Sequence, residues 1–130
     1  MGKRKESDIE RFELAQLMLS DAEFNLYHRR FRCAISRSYY ACHHAARACL
    51  DAVGQPLQKT RNTHRACISV FSRHLIKTQM LPKTLVKTLQ ELLKAREAVD
   101  YDLKVKNIEA LARQGCIETQ TFLKEAEKIC

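Results

Sequence analysis

The chain has 130 residues, 45% of them apolar, which suits one domain with its own core and no need of disulfide or metal staples. With 3 Gly and 2 Pro it has too few turn residues for an all-β sandwich, and its apolar content excludes a disordered body, so the composition points to helices. The 23 Lys and Arg against 15 Asp and Glu give a formal charge of +8, concentrated in residues 51–90, where 7 basic side chains face 1 acidic one.

A basic tail over residues 1–6, with Lys3, Arg4 and Lys5, precedes a single domain over 7–130. Ser7-Asp8-Ile9-Glu10 has capping-box spacing, which predicts a first helix from Ser7 through Phe12, Leu17, Leu19, Phe24 and Tyr27 to a turn in the basic cluster 28–32. A second helix is predicted from Cys33 to Val53, where Gly54 and Pro56 stop it. After the polar linker 58–62, Thr60 or Thr63 can cap a third helix through Ile68, Phe71 and Leu75, ending before Leu81-Pro82. Pro82 suits the first position of a fourth helix, which carries Leu85, Leu89, Leu92 and Val99 on one side and reaches Tyr101. A fifth follows from Val105 to Ile129, with Gly115 as a weak point. Short connections between such helices predict an all-α, up-and-down antiparallel bundle of four or five helices.

The six cysteines include no CxxC pair, and His44 near Cys42 makes a poor zinc constellation. Without an apolar leader in MGKRKESDIE or an apolar run of membrane-spanning length, the expectation is a cytoplasmic protein. Its cysteines are then small buried apolar residues, and no metal, cofactor or membrane association is expected. The basic block over 51–90 suits a polyanion such as RNA or an acidic protein partner, and equally a solvated helix face.

The second helix carries most of the candidate chemistry. At about 100° per residue, Ile35, Tyr39, Cys42, Ala46, Cys49 and Val53 form an apolar arc. Ala34, Ala41, Ala45 and Ala48 form a small-residue stripe that lets another helix approach closely, within the chain or between subunits. The third arc gathers Ser36, Arg37, Tyr40, His43, His44 and Arg47, dense with imidazole and guanidinium. Arg37 and His44 stand two turns apart on one side, where the imidazole can move a 2'-hydroxyl proton and the guanidinium can neutralise phosphoryl oxygens. On the fourth helix, Arg96 shares a face with leucines and must be paired, with Asp100 one turn on and Tyr101 beside it. That pair is either a core ion pair fixing register or a rigid anion-binding arginine. His64, at the start of the third helix among Arg61, Asn62, Thr63 and Arg65, is a phosphate-binding candidate or a capping neighbour on a basic surface.

The run Ser36-Arg37-Ser38-Tyr39-Tyr40-Ala41-Cys42-His43-His44-Ala45-Ala46-Arg47-Ala48-Cys49-Leu50 resembles the SRxYYAxxHAAxAxL helix of the HEPN family, the higher-eukaryote and prokaryote nucleotide-binding domain. Asn62-Thr63-His64 with Ile68 and Phe71 resembles its THxxxxxxF element, and Arg96-Glu97-Ala98-Val99-Asp100-Tyr101 its RxxADY segment, all in the expected order. The resemblance implies a helical homodimer of the small prokaryotic type. It also implies a toxin-like role beside a minimal nucleotidyltransferase antitoxin, and metal-independent RNA cleavage by an Arg-x4-6-His pattern on a late helix. Here Arg96 is followed by Asp100 and Tyr101 with no His, while Arg37 and His44 have that spacing on the second helix. By position, Tyr101 matches the tyrosine that receives a nucleotidyl group in related toxins.

The first expectation is therefore a HEPN-type dimer acting on RNA, with Arg37, His44, Arg96 and Asp100 as catalytic candidates and Ser36, Tyr40, Arg47, His64 and Tyr101 as binding ones. The second is a non-catalytic module that holds a nucleotide or the partner. The third is a polar network that only specifies the dimer.

Overall fold

A computed structural model describes residues 6–58 and 62–130, with side chains on the first helix from Ile9 onward. Residues 1–5 of the basic tail, the Ser7 cap side chain, Thr60 and Arg61 lie outside these described residues, whereas Glu6, expected in the tail, already belongs to the first helix. Five helices follow one another, with no strand among the described residues: α1 (Glu6–Tyr27), α2 (Phe31–Ala52), α3 (Thr63–Phe71), α4 (Thr84–Tyr101) and α5 (Ile108–Ala126). A π-helical turn, Ser72–Ile76, extends α3.

The chain reverses between α1 and α2 over residues 28–30, where Arg29 takes a positive φ of 60°. The two helices run antiparallel, pinned at the far end by Arg11 Nε on Asp51 Oδ2 at 3.1 Å. Ala15 and Ala22 on α1 and Ala34, Ala41, Ala45 and Ala48 on α2 are wholly buried, so the alanine stripe is consumed inside the chain and not at a subunit interface.

Helix α5 lies parallel to α2, the two touching in order at Ser38 and Cys116, Cys42 and Thr119, and Cys49 and Ala126. Gly115 is a close-approach position there and not a weak point, since a Cβ on it would stand 3.2 Å from Leu92 Cδ2 and 3.8 Å from Ser38 Cβ. Helix α4 packs antiparallel to α2: the guanidinium of Arg32, near the start of α2, donates to Val99 O and to Leu103 O, satisfying carbonyls at the end of α4.

Several boundaries differ from the sequence expectation for local reasons. Helix α2 starts two residues early, because Arg30 already accepts the Ala34 amide. Pro82 precedes α4 instead of opening it, although its carbonyl takes the Leu85 amide. Helix α5 starts at Ile108 after Asn107, whose left-handed φ of 56° breaks the approach from Val105. Five of the cysteines are buried in the core, and Cys33 is exposed.

Candidate functional site

One polar cluster sits where α2, α3 and α4 meet. The adjacent residues Tyr39 and Tyr40 project from α2 together with His43 and His44, spaced so that i, i+3 and i+4 neighbours share a side. His64, in the first turn of α3, meets them: its Nδ1 lies 2.7 Å from Tyr39 Oη, and its ring centroid 4.9 Å from that of His43 and 5.9 Å from that of Tyr40. His44 lies 5.5 Å from His43, ring to ring, and 6.5 Å from Tyr40.

From α4, the Arg96 guanidinium carbon stands 5.4 Å from the centre of the Tyr39 ring and 5.6 Å from that of Tyr40. Its Nη1 donates to Asp100 Oδ2 at 3.0 Å, the i, i+4 pairing its sequence position requires. Only 16% of the Arg96 side chain is exposed, so two rings and a carboxylate fix its plane. Cation and aromatic faces attract more strongly when water is excluded, which makes this a rigid guanidinium and not a waving surface arginine.

The cluster's imidazoles are all shifted in one direction. Burial first, then the neighbouring imidazoles and the charges of Arg47 and Arg11, push the His43 imidazole down to about 3. His44 is lowered by burial and by Arg11 and Arg47, and His64 by burial and by Arg96. All three imidazoles are therefore neutral near pH 7. Burial raises Tyr39, so its phenol stays protonated and shares a hydrogen bond with the neutral His64 imidazole at Nδ1. Within the described residues His43 Nδ1, His44 Nδ1 and Arg96 Nε are buried without a hydrogen-bond partner. Unsatisfied polar atoms each cost about 1–3 kcal/mol, and three of them in one cluster mark a place where packing alone does not explain the residue choice.

The structure thus brings together Tyr40, His44, His64, Arg96 and Asp100 from the sequence candidates, with Arg47 contributing positive potential. It does not bring Arg37 there: that guanidinium lies 3.4 Å from Met18 Sδ on α1, and among the described residues no ring contact or ion pair joins it to the cluster. Among the described residues no hydrogen bond joins Ser36 to the cluster, and Tyr101, 83% exposed, stands outside it. Sequence reasoning missed three contributors. Tyr39 lies on the apolar arc, where its ring belongs, while its hydroxyl reaches His64. His43 lies on the polar arc by spacing but is 4% exposed and central. Arg11 acts on the histidines from α1, a relation no local spacing encodes.

Chemically, the cluster offers a fixed cation, neutral imidazoles and aromatic faces. These groups suit a phosphate with an attached ribose or base. Among the described residues no three His, Cys, Asp or Glu side chains gather as metal ligands, and no helix is long and apolar enough to cross a membrane. The profile of the HEPN domain family matches residues 10–130 of the chain. A search of curated proteins returned no match.

Proposed function

The chain belongs to the HEPN domain family, which carries a nucleotide- or RNA-related function at the family level, and on that premise we propose that the α2–α3–α4 cluster is where it binds the phosphate of RNA. The observation that carries this reading is Arg96, half-buried across two tyrosine rings and held by Asp100 beside the neutral histidines. A guanidinium fixed in this way has lost its side-chain entropy before the ligand arrives, so an anion meets a preformed donor. Charge-assisted hydrogen bonds of this kind contribute about 1.5–3 kcal/mol.

The test is binding of a single-stranded oligoribonucleotide by Arg96→Gln and Arg96→Lys variants whose circular dichroism matches the wild type. Arg96→Gln should weaken binding about 10- to 100-fold, with Arg96→Lys recovering part of it. Unchanged affinity in a folded Arg96→Gln variant overturns the assignment.

A second reading, metal-independent endoribonuclease activity, is favoured by the protonation state of His44. A neutral imidazole beside a fixed guanidinium can take the 2'-hydroxyl proton while Arg96 meets the charge on phosphorus. Cleavage of RNA in EDTA that disappears in His44→Ala supports it, and cleavage that survives removes His44 from the mechanism.

We extend the proposal to the assembly: a homodimer forming the toxin-like half of a pair with a minimal nucleotidyltransferase. The exposed Tyr101 at the end of α4 is accessible to nucleotidyl transfer onto its hydroxyl. Co-expression with such a partner should add the mass of a nucleotidyl group that Tyr101→Phe abolishes.

A further inference from the structure

Beside the cluster, the outer face of α3 and its π-turn forms a groove of about 420 Å³ against α4, lined by Arg65, Ser69, Arg73, Lys77 and Gln90 and by no carboxylate. Arg65 follows His64 in the chain and bridges to Glu97 at 3.5 Å, and Glu97 follows Arg96, so the Arg65 end of the groove adjoins the cluster. Arg73 and Lys77 are exposed and, among the described residues, have no ion pair.

The backbone keeps these cations in one row. In a regular α-helix, side chains four apart drift about 40° around the axis at each step. Over Ser72–Ile76 the helix widens, with the Lys77 amide bonding the Ser72 carbonyl across five residues at 3.0 Å. A wider turn reverses the drift between positions 73 and 77, so Arg65, Ser69, Arg73 and Lys77 line a single track. Such a turn gives up regular helix geometry, and the alignment of the basic row is what it brings about here.

We propose that this groove holds the continuation of the RNA strand whose phosphate sits at Arg96, reading the backbone without regard to sequence. The proposal rests on the RNA-directed reading of the cluster. The floor of the groove is Ile68 and Val86, and no aromatic ring lines it on which a base could stack. Recognition there falls to phosphates, in a groove with hydroxyl and amide donors between the cations.

The experiment compares wild type with an Arg73→Gln/Lys77→Gln double variant, binding a uridine dinucleotide and a 12-residue oligouridylate across a salt series. Both substituted side chains are exposed, so the fold is preserved. The double variant should bind the dinucleotide as wild type does. It should lose about tenfold in affinity for the 12-mer, and its slope of log affinity against log salt should be shallower by about 1.4, two phosphates' worth for a single strand. A wild type that holds the 12-mer with an affinity the double variant does not alter overturns the groove alone. A wild type that holds neither length overturns the cluster reading and the groove with it. Binding of polyglutamate in place of the 12-mer assigns the groove to an acidic protein and also overturns the proposal.

Discussion

His43 is the residue whose chemistry reaches furthest into the stability of the molecule. Its imidazole is held neutral by burial, with its value pushed down to about 3 from an ordinary 6.5. An unfolded chain binds that proton and the folded one refuses it, so the unfolded state carries more protons between these values. Stability therefore rises with pH in this window and is lost as pH falls below about 6.5. For His43 alone the loss between pH 7 and pH 5 is on the order of 2 kcal/mol. Urea denaturation at the two pH values should show it, and His43→Leu should flatten the pH dependence. An unaltered slope in that variant would place the acid-sensitive group elsewhere. The same residue explains part of what a sequence can tell. The Arg96 and Asp100 pair could be read directly because both ends lie one turn apart on one helix. The Tyr39 hydroxyl on His64 and the Arg11 field on His43 depend on how helices distant in sequence dock, so local spacing carries no trace of them.

At the level of elements, helix existence followed from apolar periodicity, whereas the details of contact between helices did not. Gly115 illustrates this. Inside a helix a glycine reads as a loss of about 1 kcal/mol against alanine, but here its missing side chain admits Leu92 and Ser38 where α4, α5 and α2 converge. Thr119 next to it donates to the Gly115 carbonyl at 2.7 Å and is fully buried, which keeps the crossing polar but satisfied. Gly115→Val should therefore destabilise the protein by about 1–3 kcal/mol, because the added branches meet Leu92 Cδ2 at a distance already short for one carbon. The urea midpoint measures it, with a double variant Gly115→Val/Leu92→Ala recovering part of the loss if the clash is with Leu92. A midpoint equal to wild type would mean that α4 yields freely at this point. The π-turn was equally hidden, since Ser72-Arg73-His74-Leu75-Ile76 differs in no local signal from an ordinary helical run.

Across the whole molecule, the basic groove and the most exposed apolar side chains of α1 lie on different elements. The basic groove belongs to α3, its π-turn and α4, whereas α1 leaves Leu17, Phe24 and Tyr27 exposed at 62%, 59% and 83%. Leu17 and Phe24 are seven residues apart and share one face of α1. Leu26, Tyr27, Cys116 and Ile117, together with Glu23, Arg29, Arg113 and Gln120, line a groove between α1 and α5. The interior of the chain has no use for these side chains, because the alanine stripe of α2 already seats the other face of α1. Large apolar side chains exposed beside a partly apolar groove are characteristic of an interface, and a two-fold dimer that pairs α1 and α5 with their copies would cover them by self-complementarity. Such a dimer leaves the α2–α3–α4 cluster and the basic groove open to ligand, since both are built from other helices. Sedimentation at micromolar concentration should then give twice the chain mass. Phe24→Glu should return the monomer with unchanged circular dichroism, because the substituted ring is exposed and contributes little to the core. A wild type that sediments as a monomer at 100 times that concentration would rule out this dimer and leave the α1 face to a different protein.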